Sequence, residues 1–107
     1  MKISKVLFGI AIAFIVSSCA TTQLTQEGNT AYQSGNYESA LKVYDQIIEG
    51  KESAGKKAKA IVYMNAGKAA LELEQTDKAR KYLESAKGLQ YSSPELYESL
   101  ARVYKII

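Results

Sequence analysis

The 107-residue chain predicts an all-α fold, and three features of the sequence carry that expectation. Apolar residues recur at helical spacing through most of the chain, and no stretch alternates convincingly with period two. One proline and no tryptophan accompany a high share of Ala, Leu, Lys, Glu and Tyr. The helices sort into two helix-turn-helix units and one further C-terminal helix, an α-α superhelix.

The first element reads as a leader, residues 1–18. Lys2 and Lys5 make a positive start, Val6 to Val16 is apolar, and small residues follow at Ser17, Ser18, Cys19 and Ala20. This is the layout of a secretory signal. Its apolar run is about eleven residues, whereas crossing a bilayer takes about twenty. The stretch Val16-Ser17-Ser18-Cys19 resembles the bacterial lipobox. The resemblance implies cleavage before Cys19, diacylglycerol transfer to its thiol and acylation (palmitate or a similar chain) of the new amino terminus. This covalent lipid is the only prosthetic group expected, with no other cofactor and no metal. The alternative is an ordinary signal peptide cleaved near Ala20. By resemblance to lipoprotein sorting patterns, Ala20 in place of Asp points to the outer membrane, with periplasmic and surface faces both open. Cys19 is the only cysteine, so no disulfide can form within the chain.

Residues 19–23 then form the lipid-bearing cysteine and a short polar tether, and 24–107 the folded part. In Tyr37 to Ile48, the residues Tyr37, Ala40, Leu41, Tyr44, Ile47 and Ile48 fall on one helical face. Gly35-Asn36 supplies a turn and then a capping side chain. A second apolar-periodic stretch runs from Ala58 to Leu73, with its start near Ala54. Ala79, Tyr82, Leu83 and Ala86 define a third, which ends at Gly88. A fourth begins at Ser92-Ser93-Pro94-Glu95, where proline suits the first turn and a serine can cap it.

These helices repeat. Ala40 follows Gly28 by twelve residues, as Ala79 follows Gly67, and thirty-four residues separate Gly67 from Ala101. The run from Gly28 to Ala40, continued by Tyr44, resembles the tetratricopeptide repeat, a helix-turn-helix unit of about that period. The second copy is Tyr63, Ala66, Gly67, Ala70, Ala79, Leu83 and Ala86, and the third is only a first helix, Tyr97, Leu100, Ala101 and Tyr104. The resemblance implies repeat 1 over about 21–50, an inserted loop over about 50–57, repeat 2 over about 58–89 and a terminal helix over about 94–107. Gly28 and Gly67 are thirty-nine residues apart, which is the source of the expected insertion. Glu74 and Thr76 stand where the family favours glycine and an aromatic, and Glu27 replaces a usual leucine.

Chemistry finds little to work with. The chain has no histidine, the commonest general base and metal ligand. It has no Gly-rich phosphate loop and no serine in a nucleophile motif. The expectation is therefore a protein that is not an enzyme. Beyond the leader, 12 basic residues balance 11 acidic ones, so nothing in the charge points to nucleic acid. Lys51, Lys56, Lys57 and Lys59 cluster around the insertion, as a solvated segment or as a contact for anionic lipid headgroups.

The resemblance implies a concave groove lined by the first helix of each unit. By register its residues are Asn29, Tyr32 and Gln33, then Met64, Asn65, Lys68 and Glu72, then Glu98, Arg102 and Lys105. Asn29 and Asn65 match asparagines that hydrogen-bond peptide in family members. The cations that would complete a clamp for a terminal carboxylate are replaced by Thr25, Glu95 and Ser99. In the last helix, Tyr97, Leu100, Ala101 and Tyr104 are expected to pack back on the second unit. Leu96, Val103 and Ile107, with Ile106 alongside, are then left as a surface for self-association; the alternatives are partial burial on the second unit or a truncated repeat. The functional expectation is a membrane-anchored adaptor or assembly factor of the bacterial envelope, holding a peptide or helix of a protein partner. The other expectation is a structural envelope subunit that dimerises through its open end. Replacing Cys19 with alanine is expected to move the protein from the membrane to the soluble fraction, as read by fractionation and blotting; unchanged retention contradicts lipidation.

Overall fold

A computed structural model of the chain describes residues 21–106. The leader, Cys19 and Ile107 lie outside the described residues. Five helices follow one another. Helix α1 covers residues 21–33 of the described segment, α2 is Tyr37–Ser53, α3 Ala60–Glu72, α4 Thr76–Gly88 and α5 Pro94–Ile106. There is no strand among the described residues, and no described helix is long and apolar enough to cross a membrane. The all-α repeat architecture expected from the periodicity is thus present.

Two boundaries differ from expectation. Thr21 to Gln23 was expected in the tether, yet these residues are already helical. The insertion was expected as a loop over 50–57, yet α2 runs on through Ser53. The reason is that Glu49 to Ser53 contains nothing that forbids helix, and Tyr63 gives the added turn a tertiary tie: its hydroxyl donates to Glu52 Oε2 at 2.8 Å.

Local chemistry sets the ends. Asn36 caps α2, its Oδ1 accepting from the Ser39 amide at 3.3 Å. Ser93 caps α5, its Oγ accepting from the Leu96 amide at 3.1 Å, with Pro94 in the first turn where its missing N–H costs nothing. The first four helices all stop through the same pair of reversed bonds. After α1, Gly35 N–H meets Tyr32 O and Asn36 N–H meets Ala31 O; after α3, Glu74 N–H meets Leu71 O and Gln75 N–H meets Ala70 O. This motif needs a left-handed residue just past the helix. Gly35 and Gly55 provide it after α1 and α2, but Glu74 (φ 60°) and Gln90 (φ 63°) do so after α3 and α4. A residue with a Cβ pays about 1–2 kcal/mol there.

Helix α3 is central. It packs most extensively on α4, then on α2, and also touches α5. Its buried residues Val62, Tyr63, Ala66, Ala69 and Ala70 are small or flat enough to let neighbours close in from both sides. Close approach is fixed by two glycines. A Cβ on Gly28 would lie 2.6 Å from the Tyr44 ring, and one on Gly67 would lie 2.6 Å from Leu83 Cγ and 3.2 Å from the Ala79 carbonyl. Each unit therefore pairs its helices by setting a large side chain of the second helix over a bare spot on the first.

Helix α5 corrects the expected orientation of the last helix. Leu96 and Val103 are fully buried and Leu100 nearly so, packed on the second unit, whereas Tyr97 and Tyr104 are each 49 % exposed and Ala101 is exposed. Leu96 and Val103 are thus core and not a self-association surface; Ile106 is exposed, and Ile107 lies outside the described residues. The physical reason lies in the repeat. Ala101 occupies the position of Gly28 and Gly67, which face the second helix of their own unit. No described helix follows α5, so this is the side left open.

Gly67→Ala is expected to lower stability by about 1–3 kcal/mol, because Leu83 and the Ala79 carbonyl have no room to retreat. Gly50→Ala, in the interior of α2 with nothing within 4 Å of the new methyl, is expected to raise it by about 0.5–1 kcal/mol. Urea unfolding followed by circular dichroism reads both, and equal signs would contradict the packing described.

Candidate functional site

The first helices of the units, α1, α3 and α5, share one side of the molecule. Between α1 and α3 lies a depression of about 310 Å³ lined by Asn29, Tyr32, Gln33, Tyr44, Asn65 and Lys68. Five of these were expected as groove residues by register, and the structure brings them together.

The floor is a hydrogen-bonded trio. Tyr44, buried between α1 and α3, donates its hydroxyl to Asn29 Oδ1 at 2.5 Å, and Asn65 Nδ2 points at the same oxygen from 3.4 Å. Burial, then the neighbouring Tyr32, push the Tyr44 phenol up to about 12, with the Asn65 amide acting weakly the other way. Tyr44 therefore stays neutral and remains a donor. Asn29 Oδ1 is consumed by these contacts, so what the two amides still offer is the N–H groups of Asn29 Nδ2, the second N–H of Asn65 Nδ2 and the Asn65 Oδ1 acceptor. A donor beside an acceptor is the complement of a peptide unit.

The rim is aromatic and charged. Tyr32 is half-buried, with its ring edge-on to Tyr37 at 5.1 Å between centroids. Lys68 Nζ sits 5.2 Å from the Tyr32 centroid, within reach of a cation–π contact. The same ammonium pairs with Glu95 Oε2 at 3.2 Å, and further along Arg102 Nη1 meets Glu72 Oε1 at 3.5 Å. Both pairs join α3 to α5, so Lys68, Glu72 and Arg102 do lie along this side, each already partnered. Glu95, standing where a clamp for a terminal carboxylate would carry a cation, neutralises one instead. Thr25 turns its hydroxyl to the Thr21 carbonyl at 2.8 Å, and Ser99 is buried.

Two expectations do not hold. Met64 was expected in the groove, yet it is 2 % exposed, its sulfur accepting from Ser93 Oγ at 3.6 Å. The capped start of α5 folds over it. Glu98 and Lys105 are exposed on α5 but do not line the depression. Tyr44, by contrast, was read only as core. An aromatic with a polar tip, one helix away from an asparagine pair, is the signal that could have placed it here.

A second polar cluster ties the outer helices. Asp45 on α2 accepts from the Tyr82 hydroxyl at 2.5 Å and from Lys78 Nζ at 2.7 Å, both on α4. Burial first, then the Asp45 hydrogen bond, raise the Tyr82 phenol well above its usual value. A phenol whose pKa is raised by folding gives stability that is full below the unfolded value near 10 and declines as pH rises through the folded value. The urea midpoint is therefore expected to fall between pH 10 and about 12, and Tyr44→Phe to flatten that fall. An unchanged slope in Tyr44→Phe would contradict a buried, neutral phenol at the floor.

The tetratricopeptide repeat family model matches residues 18–90, more than half of the chain. No match was found among curated proteins or among solved structures. The matched span takes in both complete helical pairs, with the glycine-seated side chains of each and the depression between their first helices. On this match and this geometry, the chain belongs to the tetratricopeptide repeat family.

Proposed function

We propose that this protein is a lipid-anchored adaptor or assembly factor of the bacterial cell envelope, which holds an extended peptide or a helix of a protein partner against α1 and α3. Membership of a family of protein-interaction repeats supports binding of protein rather than catalysis. The observation that carries the reading is the amide pair. Asn29 and Asn65 are fixed by Tyr44, so their remaining donors and acceptor are presented without the entropy cost of ordering them at binding. Tyr32 supplies a flat contact surface beside them. Because Lys68 and Arg102 are already paired, the groove carries no free cation for a terminal carboxylate, and an internal segment suits it better.

The anchor rests on the lipobox pattern ending at Cys19. A diacylated and N-acylated cysteine holds a protein on a bilayer essentially permanently, at about 0.8 kcal/mol for each buried methylene. Helix α1 begins by Thr21, so the domain would stand directly on the lipid surface. The antiparallel turn of α1 and α2 sets Lys51 and Lys56 around Thr21. Those cations would then face the headgroups, at roughly 1 kcal/mol each against anionic lipid. Ala20 after the cysteine favours the outer membrane.

A photo-crosslinking residue at Gln33 in the native, membrane-borne protein is expected to capture a defined protein, and the same residue at Glu49 on the outer side of α2 is not. Tyr32→Ala, which leaves the Asn29–Tyr44–Asn65 trio in place, is expected to weaken that capture about tenfold. Equal capture from both positions, or none from Gln33, would overturn the groove.

A further inference from the structure

The outer side of α5 is built to be covered, and the rest of the molecule shows how. In α1 the bare spot at Gly28 is filled by Tyr44, and in α3 that at Gly67 by Leu83. In α5 the equivalent residue is Ala101, flanked at helical spacing by Tyr97 and Tyr104, each 49 % exposed, and no described residue sits over it. Of the two tyrosines only Tyr104 makes a polar contact, its hydroxyl donating to Glu84 Oε1 at 2.8 Å. Two large aromatic faces around a small residue form a notch into which another helix can close.

We propose that the occupant is α5 of a second copy of this chain, packed antiparallel about a two-fold axis near Ala101. Charge selects this partner. Glu98 and Lys105 lie seven residues apart, each one position past a tyrosine of the stripe, so both flank it on the same edge. Neither makes an ion pair among the described residues, unlike Glu95 and Arg102 on the groove side. In an antiparallel two-fold pair a given edge of one helix meets the same edge of the other, in reversed order. Glu98 therefore meets Lys105 of the partner subunit, and Lys105 meets the partner's Glu98, while a parallel pair would set this edge against the opposite flank, where Leu100 and Val103 are buried, and leave both charges unpaired. Ala101 near the axis lets the backbones approach, and the four tyrosine rings interleave on either side.

The opposite end of the repeat argues for closure at two. There α1 shows Gln23, Gln26, Glu27 and Thr30 to solvent, a polar surface that cannot seat the Tyr97–Tyr104 stripe of another copy. Head-to-tail stacking is thereby disfavoured, and an isologous pair remains.

The test uses the full chain carrying Cys19→Ser in mild detergent, so that no disulfide through Cys19 joins copies, with sedimentation equilibrium as readout. A reversible dimer is expected. Glu98→Lys and Lys105→Glu are each expected to weaken it about tenfold, and the two together to restore it. All these positions are exposed, and circular dichroism checks that each variant folds. Ala101→Cys in the same background is expected to form a disulfide-linked dimer on mild oxidation, and Glu49→Cys is not. A chain that stays monomeric up to about 1 mM overturns the proposal and leaves the stripe to a helix of a different protein. A dimer indifferent to both charge changes, with no linkage through position 101, overturns it in favour of another face.

Discussion

Each helical pair in this protein depends on one steric fit: a side chain of the second helix occupying a place where the first helix has no Cβ. Tyr44 over Gly28 and Leu83 over Gly67 bring the axes close enough for alanines at 40, 66, 70 and 79 to be wholly buried. At that separation small residues make full van der Waals contact, and a chain of this size gains a dense core from few large side chains. The polar features follow from it. Tyr44 reaches Asn29 across the bare spot at Gly28, and the same tyrosine lines the depression beside Tyr32.

Tyrosine is the other recurrent device. Tyr44, Tyr63 and Tyr82 bury their rings and place their hydroxyls on Asn29, Glu52 and Asp45 respectively. Each bond joins a different pair of helices, so the tips set the register of elements that the rings only press together. Leucine in these places would fill the volume and lose the directionality. With few polar groups left unmatched inside, the described core has no buried side-chain nitrogen or oxygen without a partner.

Helical periodicity, the glycine-to-alanine spacing and the proline at the start of α5 were legible in the sequence because each is a local requirement of the backbone. The face of α5 was not. Apolar residues surround much of that helix, and two adjacent stripes both satisfy the helical period, so period alone does not rank Leu96 and Val103 above Tyr97 and Tyr104. What ranks them is tertiary: Ala101 repeats the register of Gly28 and Gly67, and that register points toward a second helix of the same unit. Met64 was misplaced for a related reason, since only the tertiary position of Ser93 shows that α5 covers it. Groove residues on α1 and α3 were legible because they follow from register within a unit, whereas the ion pairs of Lys68 and Glu72 depend on how far α5 leans over α3. The extra turn of α2 was hidden because an insertion length says nothing about its conformation.

Helix α5 takes part in two surfaces at once. Its inner edge supplies Glu95 and Arg102 to the cations and carboxylates of α3, and its outer edge carries the tyrosine stripe. In a stacked repeat an end helix is held from one side only and is the first to fray. Anything that covers its outer edge suppresses that fraying and so holds Lys68 and Glu72 in the arrangement the groove presents. By reciprocity, a ligand that needs those residues in place favours the covered state by the same factor. Coupling of this kind would run through the order of a single thirteen-residue helix, with no shift in shape required.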